Sequence, residues 1–335
     1  MKKTLIALTV AALASTSASA LTVYSENGST VDVTGAVKMV LQKEKVGDVS
    51  KKTVINKKDA KLGVKAKYDF GTDAYALAAY EYSFLNTDET SGEVKKAYIG
   101  VGSKSAGQLT FGLQNTFADG VGASSFDNAF GVRDKFIPGD ADNSIAYRYM
   151  GVEGLELGLD YVLSTETSKA WYDLGAKYST GDITVAFAFS QAKKTPKSYK
   201  GYDFFVDKAT ALDTSVSYKM DNVTFGLDLG YAKFDDLARA VKDADGKITG
   251  YKAETGDVKA YYVSPGVKVA FGDAAVYGNY TYTKAEDAKW HGINLGAEYT
   301  LVKNALVFAE FNYSKEKDSD TGAVKAIGVG MKVEW

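Results

Sequence analysis

Paired carboxylates are the residue type in this chain that could do acid–base chemistry. Glu298 and Glu310 lie on neighbouring alternating segments, where one could donate a proton while the other accepts it. Other routes to catalysis are closed. There is no cysteine, so thiol chemistry is excluded. The single histidine, His291, falls on the apolar face near the start of a segment. There it reads as an interfacial filler rather than a general base or metal ligand. No glycine-rich phosphate loop joins a strand to a helix. No metal, cofactor or enzymatic activity is expected, and carboxylates on this face are expected in any water-filled interior.

The charges are better explained by their placement. Asp32, Lys38, Lys61, Lys65, Lys67, Lys95, Arg148, Asp160, Asp173, Asp213, Asp228, Lys268, Glu298, Glu310 and Lys332 sit opposite the apolar rows of their segments. A basic side chain facing lipid at mid-membrane costs roughly 2–4 kcal/mol. A soluble barrel would invert the pattern, with an apolar interior and charges outside. Charges that point inward therefore imply water inside and hydrocarbon outside. Lys96 is the exception, expected on the lipid face close to a strand start.

The elements that must position these charges are strands. In residues 305–313, Ala305, Val307, Ala309, Phe311 and Tyr313 share one face, and Leu306, Phe308, Glu310 and Asn312 the other. Side chains alternate across a strand with period two. The pattern recurs about sixteen times between residues 30–43 and 324–335, an even number as single-chain bacterial barrels require. Connections after even-numbered strands are short and rich in Gly, Asp and Asn, which suits tight hairpins. Most connections after odd-numbered strands are longer, including 115–142, 193–210 and 233–256. Tyr, Phe and Trp cluster at strand ends on the apolar face, where two interfacial belts would lie. Pro265 interrupts one strand and predicts a bulge at Ser264–Gly266.

Residues 1–20 combine Lys2 and Lys3, an apolar stretch and the small-residue ending Ala18-Ser19-Ala20. They read as a secretory signal peptide, leaving residues 21–335 as one β-barrel domain. Export without cysteine excludes disulfides. The formal charge of −2 gives no support to nucleic-acid binding.

The chain resembles the general, non-specific porins of Gram-negative outer membranes over its whole mature length. The resemblance rests on the opening Leu21–Gly35, on Lys61-Leu62-Gly63-Val64-Lys65, on Lys95–Gly100, on Gly107–Gly112 and on the ending Gly330–Trp335. Phe is the usual last residue of the family, and Trp335 is a departure. The resemblance implies a sixteen-stranded antiparallel transmembrane β-barrel with an inward-folded third external loop, assembled as a homotrimer among outer-membrane lipids. The implied function is passive diffusion of ions and small hydrophilic solutes.

The same resemblance implies a constriction between that loop, here 115–142, and basic residues on the wall. Lys61 and Lys95 match two wall positions of the family. Lys38 lies two residues beyond a third, and Arg148 is the nearest candidate for a further arginine. Lys65 is a further inward lysine on the same wall. On the loop, the family's glutamate is absent from Ala129-Phe130-Gly131. Asp119 and Asp127 are the replacements, with Arg133 and Asp134 beside them. A row of small residues, Ala74, Ala76 and Ala78 with Gly100 nearby, reads as part of the subunit contact. Two other functions stay open: a substrate-specific channel, and a barrel acting mainly as a surface adhesin, through 193–210 and 233–256, or as an outer-membrane hydrolase.

Overall fold

A strand with one apolar face needs a partner on each edge and an apolar surrounding for that face. Closing the sheet on itself supplies the first, and lipid supplies the second. The computed structural model describes residues 20–85, 92–166, 168–199, 202–242, 248–253, 256–317 and 322–335. The expected signal peptide lies outside these residues, apart from Ala20.

The wall begins with β1 Ser29–Val46, β2 Val54–Asp69, β3 Ala74–Ser83, β4 Glu93–Ser103, β5 Gly107–Asn115, β6 Asp140–Val152, β7 Leu155–Val162 and β8 Trp171–Thr180. It continues with β9 Ile183–Tyr199, β10 Tyr202–Met220, β11 Val223–Asp235, β12 Val258–Phe271, β13 Ala274–Ala285, β14 Ala288–Val302, β15 Ala305–Glu316 and β16 Val324–Glu334. Each strand pairs antiparallel with the next, and β16 returns to β1 from Glu334 opposite Ala36 to Val324 opposite Val46. A lead-in strand, Leu21–Glu26, pairs with the start of β1. It prolongs the line of β16, because Trp335 exchanges backbone hydrogen bonds with Gly35. The result is a closed sixteen-stranded antiparallel barrel.

The two faces differ as the alternation requires. On β7, Leu157, Leu159 and Tyr161 are 39%, 47% and 45% exposed on the outside, while Asp160 between them is fully buried. Short turns close one end. Gly154 has φ 74° there, and a Cβ on it would lie 2.2 Å from the Ser179 carbonyl oxygen.

Four expectations change. The stretch 193–210 is not a loop, because β9 and β10 stay paired from Ile183–Tyr218 out to Tyr199–Tyr202. The stretch 233–256 contains a further hairpin, Ala238–Lys242 with Ile248–Ala253, whose first strand pairs with β10. Pro265 causes no bulge: Leu227 faces it in regular register, and β12 keeps one register with β13 on either side of it. Proline cannot donate to the ladder, and a side-chain hydrogen bond between Ser264 Oγ and Thr281 Oγ1, at 2.6 Å, links the strands there instead.

The fourth change concerns β4. A bulge shifts the pairing between Glu81–Lys96 and Tyr82–Val94. An extra residue reverses the alternation beyond it. Lys96 therefore points inward, with its ammonium 3.4 Å from Glu81. Gly100 also falls on the inner face, where an added Cβ would meet Leu109 and the buried Thr110. It cannot share the outer row of Ala74, Ala76 and Ala78. Ile99 and Val101, 65% and 52% exposed, occupy the outer positions of β4 instead.

Candidate functional site

The segment after β5 turns into the barrel. Gly112 adopts φ 132°, and a Cβ there would lie 2.2 Å from the Ala97 carbonyl oxygen. A bulge between β5 and β6 follows immediately. Residues Phe117–Gly120 form a 3-10 turn, and the chain then runs along the inner wall to β6.

Glycines and carboxylates of the wall seat this loop together. Gly158 of β7 stands opposite Gly175 of β8. Their missing side chains leave the space that the Phe117 ring fills, since a Cβ on either would approach it to 2.0 or 2.3 Å. Two residues from those glycines, Asp160 and Asp173 accept the backbone N–H groups of Phe117 and Ala118 at 2.7 and 3.3 Å. Arg148 donates to both oxygens of Asp160, at 2.8 and 2.9 Å, and its guanidinium lies 5.5 Å from the Phe117 ring centre.

The arrangement repeats around the wall. Gly226 stands opposite Gly266, and the backbone of Ala123 and Ser124 lies against the pair. Two residues from Gly226, Asp228 accepts the N–H groups of Ala123 and Ser124 and the Ser124 hydroxyl, at 2.7, 3.1 and 2.6 Å. Glu310 faces Gly328 across β15 and β16. Glu310 accepts the N–H groups of Asn128, Ala129 and Phe130, and the Phe130 ring rests over Gly328. On the return, Asp213 accepts from Phe136 and Ile137 at 3.1 and 3.0 Å and from the Tyr262 hydroxyl at 3.0 Å.

These five carboxylates are at most 3% exposed. Buried carboxylates need donors, and the loop amides donate to each of the five, with Arg148 added at Asp160 and Tyr262 at Asp213, while Oδ1 of Asp173 has no hydrogen-bond partner among the described residues. Apolar contact adds to the hold: Phe117, Ala118, Val121 and Ile137 pack on a wall of Ala186, Ala188, Ala211, Ala232 and Ala260. The inward acids are therefore not all bathed in water, as the alternation alone suggested. Five of them fasten the loop.

The opposite arc of the interior keeps its charges accessible. Lys38 of β1 stands between Lys332 of β16 and Asp59 of β2. Lys61, 39% exposed, lies 3.4 Å from Asp59, and Lys95, 47% exposed, is paired with Glu93. Lys65 faces Asp32 across β1 and β2. Arg148 belongs elsewhere, since only 15% of its side chain is exposed and it serves the loop's anchor.

The loop residues divide in the same way. Asp119 is exposed, bonded to Asn115 at 2.5 Å and 3.4 Å from Lys135. Asp127 is half-buried. Burial and the neighbouring Glu310 raise its carboxyl above the usual value of 3.8, opposed by Lys38 and Arg133. Arg133 folds back, donating to the Val121 carbonyl at 2.7 Å with its Nε 3.7 Å from Asp228. Asp134 accepts a hydrogen bond from Thr283 of the wall.

Sequence reading missed the anchors and Lys332 as a neighbour of Lys38. The signal was present: an inward glycine two residues from an inward acid, as in Gly158-Leu159-Asp160, Asp173-Leu174-Gly175 and Gly226-Leu227-Asp228.

A closed transmembrane barrel, apolar outside and narrowed by a tethered loop beside a charged inner wall, defines an outer-membrane diffusion channel. The model of the family described as Gram-negative porin matches residues 7–319, and the chain belongs to that family. The "Major outer membrane protein" of Pasteurella multocida (strain Pm70) is 29% identical over 362 residues, covering 100% of both chains. The in-vitro folded trimer form of OmpT, an outer membrane protein of Vibrio cholerae, superposes with a TM-score of 0.69. It is 17% identical, over 92% of this chain and 100% of that one. The anion-selective porin from Comamonas acidovorans gives a TM-score of 0.70 at 15% identity, over 92% and 100%. The protein is an outer-membrane porin, a passive route for ions and small hydrophilic solutes.

Proposed function

We propose that solutes cross between two unlike surfaces. One is the wall arc of Lys38, Lys61, Lys65 and Lys95, joined by Lys332. The other is the loop edge carrying Asp119 and Asp127. The observation that carries this reading is the use of Asp160, Asp173, Asp213, Asp228 and Glu310 to bind loop amides. With those acids withdrawn from water, the transverse field is set by the lysine arc, offset in part by its wall neighbours Asp32, Asp59 and Glu93, and by the two loop aspartates. Charge lining a narrow, partly low-dielectric passage governs which ions pass. Arg148, Arg133 and Asp134 act by holding the loop in place rather than by meeting solute.

Catalysis has no part in this reading. Glu310 is occupied by loop amides, and Glu298 by Lys268 and Asn128. We also propose a homotrimer. Ala74, Ala76 and Ala78 present a shallow outer face beside Ile99 and Val101, which suits close approach of a second barrel.

The test is a planar-bilayer measurement on the double variant Lys61→Glu with Lys95→Glu. Its reversal potential in a salt gradient shifts toward cation preference. An unchanged potential rejects the constriction assignment. Three equal closures per insertion event support the trimer.

A further inference from the structure

Inside the barrel, above the tethered loop, the wall carries polar and aromatic groups that neither the anchors nor the lysine arc use. A cavity of about 320 Å³ opens there, between loop residues Gly131–Asp134 and the upper ends of β13 to β16. Small-molecule sites begin at about 300 Å³, so the space suits one compact solute.

Strand register builds this cavity. Thr283 of β13 stands opposite Trp290 of β14, and Trp290 stands opposite Glu316 of β15. One rung nearer the loop, Gly292 lies between Thr281 and Ser314. The row faces inward: Thr281 and Thr283 are buried, and a Cβ on Gly292 would lie 3.1 Å from the Val132 Cβ of the loop. The missing side chain lets the loop approach and form a floor one rung below Trp290. Asp134, held to the wall by the Thr283 hydroxyl, closes one side. Adjacent strands lie about 4.8 Å apart, so the row from Thr283 to Glu316 spans roughly 10 Å with Trp290 at its centre.

The chemistry of the row selects its ligand. Trp290 is half-buried and lines the cavity with a large apolar side chain. Ser314 and Glu316 line it too. The hydroxyl can donate and accept, and the carboxylate accepts only. A pyranose ring matches this set, with C–H groups on its faces and hydroxyls around its edge. Its O–H donors to a carboxylate make charge-assisted bonds, roughly twice as strong as neutral ones. An amine is also drawn to an aromatic ring beside a carboxylate, but this cavity is no cation trap. Arg133 lines it as well, and the Lys58 ammonium stands 5.5 Å from the ring centre of Phe130, next to Gly131. An anion, in turn, meets Asp134 and Glu316. Charges of both signs favour a neutral solute rich in hydroxyls.

We propose that Trp290, Ser314 and Glu316 form a sugar subsite in the outer vestibule, where a neutral hexose unit rests before it reaches the constriction. Its C–H face packs against Trp290, and its hydroxyls donate to Glu316 and exchange hydrogen bonds with Ser314. Transport stays passive, and the subsite raises the sugar concentration at the mouth of the narrow passage. The inference rests on the channel itself and not on the assignment of the lysine arc.

The test is single-channel recording on the folded protein in planar bilayers, with each probe added to one side at a time. The probes are maltohexaose, polyethylene glycol of matched mass, and spermidine. Maltohexaose is expected to reduce the current saturably and to enter faster from the loop side, whereas polyethylene glycol reduces it without saturation. The half-saturating sugar concentration is expected to rise about tenfold in Trp290→Ala and in Glu316→Ala, to rise less in Trp290→Phe, and to hold in Lys104→Gln, in a turn at the opposite rim. Should Trp290→Ala not fold, Trp290→Phe and Glu316→Ala read the same loss. A sugar effect that never saturates, equal half-saturation in all variants, or saturable block by spermidine alone overturns the proposal. The sugar is uncharged and is read by block rather than by reversal potential, so this test and that of the lysine arc fail independently.

Discussion

Gly158 lies directly across from Gly175, and the Phe117 ring fills the space both leave open. A Cβ at Gly158 would sit 2.0 Å from a ring carbon. Overpacking of this kind typically costs about 1–3 kcal/mol. Here the cheaper escape is for the loop to lift from the wall. Gly158→Ala is therefore expected to keep the barrel folded while changing the channel. Single-channel conductance changes and current noise rises, with heat-modifiable gel migration unaltered. A variant with parent conductance and noise would show that the ring does not fix the loop.

Asp228 makes the second anchor testable. Truncation to Ala leaves the amides of Ala123 and Ser124 and the Ser124 hydroxyl without their acceptor. Hydrogen bonds to a charged group contribute about 1.5–3 kcal/mol, so the loss falls largely on the loop. Asp228→Ala is expected to expose residues 116–139 to added protease from the outside, with fragments mapping to that segment. Asp228→Asn, which keeps one acceptor, lies between the variant and the parent. Protection equal to the parent's in Asp228→Ala refutes the anchor.

The barrel was legible because it depends on a period of two, and every strand repeats that signal. Strand number, closure and the inner face of most charges follow from it. What failed did so for local reasons. One bulge beside Lys95 reversed the alternation of β4, which moved Lys96 and Gly100 to the inner face. The length of β9 and β10 was hidden because their outer ends break the alternation in sequence, with Lys193-Lys194 and Pro196 on one strand and Phe204-Phe205 adjacent on the other. The anchors were hidden for a different reason: an inward carboxylate looks the same in sequence whether it meets water or an amide. Only the neighbouring glycine distinguishes the two, since it marks where another backbone comes close. Arg148 was legible as an inward charge, yet its ion pair with Asp160 depends on the loop's path, which alternation does not encode.

Asp127 gives the passage a pH response. Its carboxyl titrates above the usual 3.8, because burial and Glu310 disfavour the charged form more than Lys38 and Arg133 favour it. As pH falls through this raised value, Asp127 becomes neutral and the lysine arc is less opposed. Anion preference is expected to increase over that interval, at a higher pH than an ordinary aspartate would give. The sign for stability follows from proton linkage. The folded protein binds this proton more tightly than the unfolded chain, so the stabilisation is complete below 3.8 and is lost as pH rises through the folded value. Asp127→Asn removes both effects. Reversal potentials measured from pH 7 to pH 4 on the parent and the variant decide the point, and parallel curves reject it.

The outer face of β3 sets the last prediction. Ala74, Ala76 and Ala78 align outward opposite Ser103, Val101 and Ile99 of β4. Ala78, with Ala66 and Ala97 on the neighbouring strands, floors a shallow depression rimmed by Val64, Tyr80, Ile99 and Phe111. A lipid chain can fill such a depression without specificity, whereas a neighbouring barrel fills it with side chains of fixed shape. Substitution by a large residue separates the two cases. Ala76→Trp with Ala78→Phe adds apolar area, which lipid accommodates readily and a close-packed protein contact does not. The variant barrel is expected to fold and conduct but to run as a monomer on mild-detergent gels, with single rather than triple closures in bilayers. Trimers that persist in this variant place the subunit contact elsewhere on the barrel.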